Sequence, residues 1–228
     1  MVDFTALTAI GLKRWQNAKL TRKADAGVIA ARLYKAKARY QAVEAKTGVP
    51  WFVVAVIHER ESSQNFSTQL GQGDPLNRVS VHVPAGRGPF KTWEDGAYDA
   101  LVNCSPYLAK RKDWSLAGVL IALELYNGLG YANKGVPSPY LWAGTDQYTS
   151  GKYVADGKYD PNKVDAQMGC AAMLLALMAI DPTITFTGAK IVPPPQVPAP
   201  TPVPQPAPQP SFWAAFFTAI LSIFKRKT

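Results

Sequence analysis

The sequence predicts an α+β fold that is mostly helical, and three observations carry that expectation. Apolar residues recur at helical spacing between residues 25 and 46. Two nearly unbroken apolar runs, 49–57 and 170–180, have the length of buried helices. One short stretch, 78–83, alternates with period two instead, as a strand would. With 47% apolar residues in a chain of 228, there is material for one domain with a true core plus appendages.

Taken in order, Ile29, Leu33, Ala36, Tyr40 and Val43 follow at spacings of 4, 3, 4 and 3, which predicts one helix over 25–46. Arg32, Lys35, Arg39 and Lys46 fall largely off that stripe and suit a solvated outer face. Gly48 suits the helix stop, and Pro50 suits the first turn of the next helix. That helix is apolar through Val56 and closes with Ile57, His58, Glu59, Arg60 and Glu61. A carboxylate in this place is either a solvated helix end or an acid kept protonated by an apolar wall. Glu61 continues the Val54–Ile57 stripe, so its carboxyl is expected beside the buried face. Glu59 lies about 200° round from Ile57 and is expected to face solvent.

Residues 68–89 are rich in Gly, Pro and polar side chains. Within them Val79, Val81 and Val83 alternate with Ser80 and His82, which predicts a half-buried strand in a small hairpin just after the acidic helix. Thr92-Trp-Glu-Asp95 opens another helix with a capping pattern. A further helix runs from about 116 to 126 and stops at Asn127-Gly128. Residues 129–163 read as a long loop region holding Tyr131, Tyr140, Trp142, Tyr148, Tyr153 and Tyr159. The apolar helix around 166–180 ends at Asp181-Pro182.

The composition divides the chain into a domain over 1–188 that begins with a basic helix, a Pro-rich linker over 189–210, and a tail over 211–228. Ten of the eighteen residues from Pro193 to Pro210 are proline, a polyproline II spacer. The tail is apolar from Phe212 to Phe224 and closes with Lys225, Arg226 and Lys227. Thirteen apolar residues are too few to span a bilayer, which takes roughly 17–25, so residues 212–227 are expected to lie in a membrane interface. Docking back on the domain and tail-to-tail pairing are the other readings. Net charge is +9, with ten Lys/Arg against three Asp/Glu in residues 1–46. Positive ends of this kind favour an anionic surface: nucleic acid, acidic lipid, or the teichoic acid and peptide carboxylates of a bacterial envelope. No secretory signal is visible at the start, so synthesis in the cytoplasm and action at the wall or periplasm is the expectation.

The motif around the acidic helix resembles a known family. Glu61-Ser62 followed by Gln64, Asn65 and Phe66 resembles the Glu-Ser signature of lysozyme-like enzymes and lytic transglycosylases. Thr47-Gly-Val-Pro-Trp51, Ile57-His58, Arg60-Glu61-Ser62, Gly73-Asp74-Pro75-Leu76 and Val83-Pro-Ala-Gly-Arg87 are similar to bacterial and phage lysozyme-family proteins. Tyr126-Asn127-Gly128 resembles the Tyr-Asn-x-Gly motif that lines the cleft opposite the glutamate, and 138–142 and 148–157 match the same group. The resemblance covers about residues 45–180. It implies a lysozyme-like domain that cuts the β-1,4 MurNAc-GlcNAc bond of peptidoglycan as an endolysin does, with Glu61 as the general acid.

Asp74 is then either the second carboxylate of a hydrolase or a turn residue before Pro75. Lytic transglycosylases need no second carboxylate, because the 6-hydroxyl of the sugar attacks. His58, one turn before Glu61, either hydrogen-bonds near it or is structural. Ser62, Tyr126, Asn127, Tyr140 and Trp142 are the candidates for gripping sugar, with a core plug as the alternative for the aromatics. Neither cofactor nor metal is expected. Two histidines are too few for a zinc amidase, both precede both cysteines, against the usual order of a Cys-His peptidase, and Asp156, Asp160 and Asp165 miss calcium-loop spacing. No phosphate-cradling loop or basic-aromatic repeat speaks for nucleic acid. The partners expected are peptidoglycan strands and a membrane surface. A chitinase-like enzyme, a non-catalytic wall-binding module and a membrane-anchored interaction protein are the competing functions.

Overall fold

A computed structural model describes residues 2–71 and 73–186. The linker and tail expected over 189–228 lie outside these residues. The described chain is helix-rich with one small sheet, in agreement with a mostly helical α+β class. Its helices are α1 (Phe4–Asn17), α2 (Lys23–Lys35), α3 (Lys37–Thr47), α4 (Trp51–Ser62), α5 (Trp93–Val102), α6 (Leu116–Asn127), α7 (Gly130–Lys134), α8 (Pro139–Trp142) and α9 (Cys170–Ile180), with a 3-10 turn at Leu108–Lys110. The strands β1 (Lys152–Ala155) and β2 (Lys158–Asp160) pair antiparallel. No helix among the described residues is long and apolar enough to cross a membrane.

The core is built around α4 and α9, which touch each other. α9 is apolar on every side and α4 is so through Ile57, so these stretches have no face for water and must be covered all round. On α4 residues 51–58 are all buried, and on α9 residues 170–178 are. The α2 and α8 helices pack on α9, α3 packs on α4 and α5, and α1 packs on α6. The expected caps are present: Gly48 ends α3 in the left-handed region at φ 71°, and the Thr92 hydroxyl accepts from the Asp95 N–H at 3.2 Å at the start of α5. Cys104 and Cys170 are both buried and unpaired.

Three expectations are corrected. The helix foreseen over 25–46 is two helices broken at Ala36, whose N–H reaches back to Leu33 O at 3.1 Å instead of one residue further. With the break, α2 packs on α9 while α3 packs on α4 and α5. The hairpin foreseen at 78–83 is not there: no strand forms in that stretch. Its alternation is real but inverted, with Ser80 at 3% exposure and Val79, Val81 and Val83 at 52%, 75% and 73%. The Asp74 carboxylate takes the N–H groups of Val81 and His82, at 3.1 Å each, and so removes them from any ladder. Glu59, expected in solvent, is largely covered and receives both carboxylate contacts from Arg32 at 2.7 Å.

The sheet stands instead within 129–163, a region foreseen as loop. Lys152-Tyr-Val-Ala155 and Lys158-Tyr-Asp160 flank Asp156-Gly157, and Gly157 takes φ 64°. An Asp-Gly pair between short alternating runs is a strong hairpin signal, and it is the local feature that marks this sheet in the sequence.

Candidate functional site

Glu61 sits in the last turn of α4. The helix stops immediately beyond it because Ser63 and Gln64 enter the left-handed region, with φ 52° and 60°. Their N–H groups close back onto Glu59 O and His58 O at 2.9 and 3.3 Å. The stop leaves the Glu61 carboxyl at a rim, 5% exposed, where it faces a cleft of about 340 Å3. Tyr140 of α8 donates its hydroxyl to Glu61 Oε1 at 2.9 Å. Burial lifts the carboxyl to about 7, against the smaller downward pulls of the Tyr140 hydrogen bond and the Arg60 charge. Tyr140 itself is pushed well above 10, by burial first and by the Glu61 charge, so it remains a neutral donor.

The cleft has three other walls. Asn127, Gly128 and Tyr131 come from the α6–α7 junction, where Gly128 turns the chain at φ 88°, beyond the reach of most side-chain-bearing residues. Asn127 donates to Ser138 Oγ at 3.3 Å, tying the junction to α8. Lys152, Tyr153 and Asp156 come from the hairpin, and Gln167 and Asp165 from the segment before α9. Tyr153 is braced edge-on against Tyr131, with ring centroids 5.0 Å apart, and its N–H is bonded to the Tyr131 hydroxyl at 3.0 Å.

The cleft holds three carboxylates, and they differ. Glu61 is nearly buried and holds its proton to near neutrality. Asp165 is consumed: its Oδ2 accepts from Arg60 at 2.5 Å and its Oδ1 from Lys152 at 2.8 Å. Asp156, at the hairpin turn, is exposed and makes no ion pair or side-chain hydrogen bond among the described residues. An acid that keeps its proton and a carboxylate open to solvent therefore share one cleft, an arrangement suited to general acid and base work.

Of the residues singled out in the sequence, Glu61, Asn127 and Tyr140 are brought together here. The others are not. His58 is fully buried on another side of α4, bonded through Nδ1 to Tyr40 Oη at 3.1 Å and packed against Trp93 and Phe66. Burial pushes it down to about 3, so it is neutral. Ser62 donates to His58 O at 3.2 Å and finishes the helix turn. Tyr126 is partly buried against the core and does not line the cleft, though it is close enough for the Glu61 charge to add to burial in raising it. Trp142 is 1% exposed and belongs to the core. Asp74 is buried 5% exposed in the 74–82 loop, paired with the His82 ring at 2.8 Å, and does not line the cleft. Conversely, Arg60, Lys152, Tyr153, Asp156 and Asp165 line the cleft and were not foreseen as a site.

Among the described residues no group of three or more His, Cys, Asp or Glu side chains could hold a metal ion. One expected result follows from the Tyr140 contact. Because that hydrogen bond favours the ionised carboxylate, Tyr140→Phe raises the Glu61 midpoint further, by about one unit, in a 13C titration of the carboxyl. A downward shift would mean that the hydroxyl does not hold the carboxyl as described. Compared with known proteins, the chain matches no family model, no curated protein and no solved structure.

Proposed function

We propose that the chain is a lysozyme-like glycosidase that cleaves the β-1,4 MurNAc-GlcNAc bond of peptidoglycan, in the manner of a phage or prophage endolysin. The observation that carries this reading is Glu61, a buried carboxyl that keeps its proton to about pH 7 at the rim of a cleft. It is also the residue to which the Glu-Ser signature points. Glu61 donates its proton to the glycosidic oxygen as the bond to the anomeric carbon breaks, and positive charge develops on the sugar ring. Asp156, rather than Asp74, is the carboxylate suited to activate water or stabilise that charge, because it is in the cleft and uncommitted. Tyr153 and Asn127 offer a ring face and an amide to the sugar. The apolar, basic-ended segment 212–227 supplies the membrane contact in this reading.

Mass spectrometry of fragments released from purified sacculi tests the proposal. Muropeptides with reducing ends make the enzyme a hydrolase, and 1,6-anhydro ends make it a transglycosylase in which the substrate's own hydroxyl replaces Asp156. No released glycan overturns the glycosidase reading. In the hydrolase case Asp156→Asn loses about 100-fold or more in turnover. Asp74→Asn instead loosens the 74–82 loop and lowers the melting temperature, with turnover within a few-fold of wild type. The reverse ranking would return the role to Asp74.

A further inference from the structure

Arg60 stands next to Glu61 in sequence and opens on the same cleft. Its guanidinium lies 5.1 Å over the ring of Tyr140, the tyrosine whose hydroxyl is bonded to Glu61. A bare cation here would strip the acid of its proton, since a charge acts over a short distance with little water between. Asp165 is the counter-ion of Arg60. It accepts from Arg60 Nη2 at 2.5 Å, from Lys152 Nζ at 2.8 Å and from the Gln167 N–H at 3.3 Å. Its own N–H is bonded to the Tyr148 hydroxyl at 3.0 Å, which fixes where the carboxylate sits. Burial alone would raise Asp165, but Arg60 and Lys152 together hold it below the usual carboxylate range. It is an anion at every pH at which Glu61 titrates.

We propose that Asp165 is a positioning residue for the acid: bound to both Arg60 and Lys152, it takes up the Arg60 charge beside Glu61. This rests on Glu61 as the acid of the proposed reaction, but the device is a property of the free protein. The groups around Glu61 leave few other sources of charge. Tyr126 of α6, Tyr140 of α8 and Cys170 of α9 are all raised by burial and are neutral near pH 7. Glu124 of α6, which acts on Cys170 together with Glu61, is itself lifted to about 7 by burial. The formal charges at the cleft are Arg60, Lys152, Asp156 and Asp165. Of these, Arg60 is the one that acts on Glu61 most directly, and Asp165 is its counter-ion.

The test is a 13C titration of the Glu61 carboxyl in the full chain, its resonance identified by its loss in Glu61→Gln. In Asp165→Asn the Arg60 charge is uncovered, and the Glu61 midpoint falls by about one pH unit or more. A folded Asp165→Asn protein with an unmoved or raised midpoint overturns the proposal. Should that variant fail to fold, Arg60→Met/Lys152→Met/Asp165→Asn removes Asp165 together with both cations it binds, and Glu61 is expected at or above the wild-type midpoint. A triple variant that titrates a unit below wild type overturns it equally. The readout needs no substrate, so absence of glycan cleavage would end the glycosidase reading and leave this result to stand or fall alone. Where cleavage is seen, the basic limb of kcat/KM against pH moves with the NMR midpoint.

Discussion

On the proposed glycosidase reading, Glu61→Gln is expected to fold as the wild type does and to lose glycan cleavage by two or more orders of magnitude, about the contribution of general acid catalysis. The amide keeps the shape of the carboxyl and the place beside Tyr140, but it has no proton to give to a leaving oxygen. The same substitution has a stability signature. The folded-state value of about 7 lies above the ordinary 4.5, so ionising Glu61 is easier in the unfolded chain than in the native site. Its favourable contribution is complete below about pH 4.5 and is lost as pH rises through about 7. At pH 8 wild type therefore carries a burden of at most about 3 kcal/mol that Glu61→Gln does not. The variant should melt higher than wild type at pH 8 and no higher at pH 4.

Glu124 contributes a second term of the same sign. It is buried against α1 with Oε2 unpartnered and is also lifted to about 7, opposed by Arg14. Some decline in stability across neutrality thus persists in Glu61→Gln. Wild-type turnover should fall above pH 7 as the acid ionises. A Glu61→Gln protein with near-wild-type turnover would remove Glu61 from the chemistry.

Trp142→Ala is expected to cost about 3–5 kcal/mol, a large share of a domain's total stability. Trp142 is 1% exposed at the end of α8, where α8 packs on α6 and α9. Truncation opens a cavity that the surrounding helices cannot close, because the backbone there is pinned: Trp142 N–H donates to Ser138 O at 2.9 Å, and Trp142 O accepts from Thr145 Oγ1 at 2.7 Å. Thermal or urea unfolding measures the loss. Tyr153→Ala, on the hairpin at the cleft, should cost far less stability and act on glycan affinity instead. If Trp142→Ala melted like wild type and failed to retain glycan, the indole would be a sugar platform after all and its burial would be wrong.

The Val54–Ile57–Glu61 stripe was sufficient to put Glu61 beside the buried face of its helix. The same helical logic sent Glu59 to solvent, because periodicity knows nothing of Arg32 arriving from another helix. At 78–83 the period of two was correct and the inner face was wrong. Valine inward is the default for an isolated strand, and the buried Asp74 outweighed it by binding two backbone N–H groups and His82. Asp74 and Asp156 both precede a turn-forming residue, and nothing local marks which one reaches the cleft.

By itself, the sequence determined the elements whose signals are local. These are α9 and the apolar first two turns of α4, the stops at Gly48 and Gly128, the cap at Thr92, and the acid at the end of α4. Hydrophobic period, turn chemistry and capping act over a few residues, so they can be read from a few residues. Only the tertiary structure decided the break at Ala36, the inward turn of Trp142 and His58, and the company Glu61 keeps. Arg60 and Asp165 are 105 residues apart, and Glu61 and Tyr140 are 79 apart. The protonation of a carboxyl depends on the dielectric and the charges within a few ångströms, and those neighbours exist only once distant helices have packed.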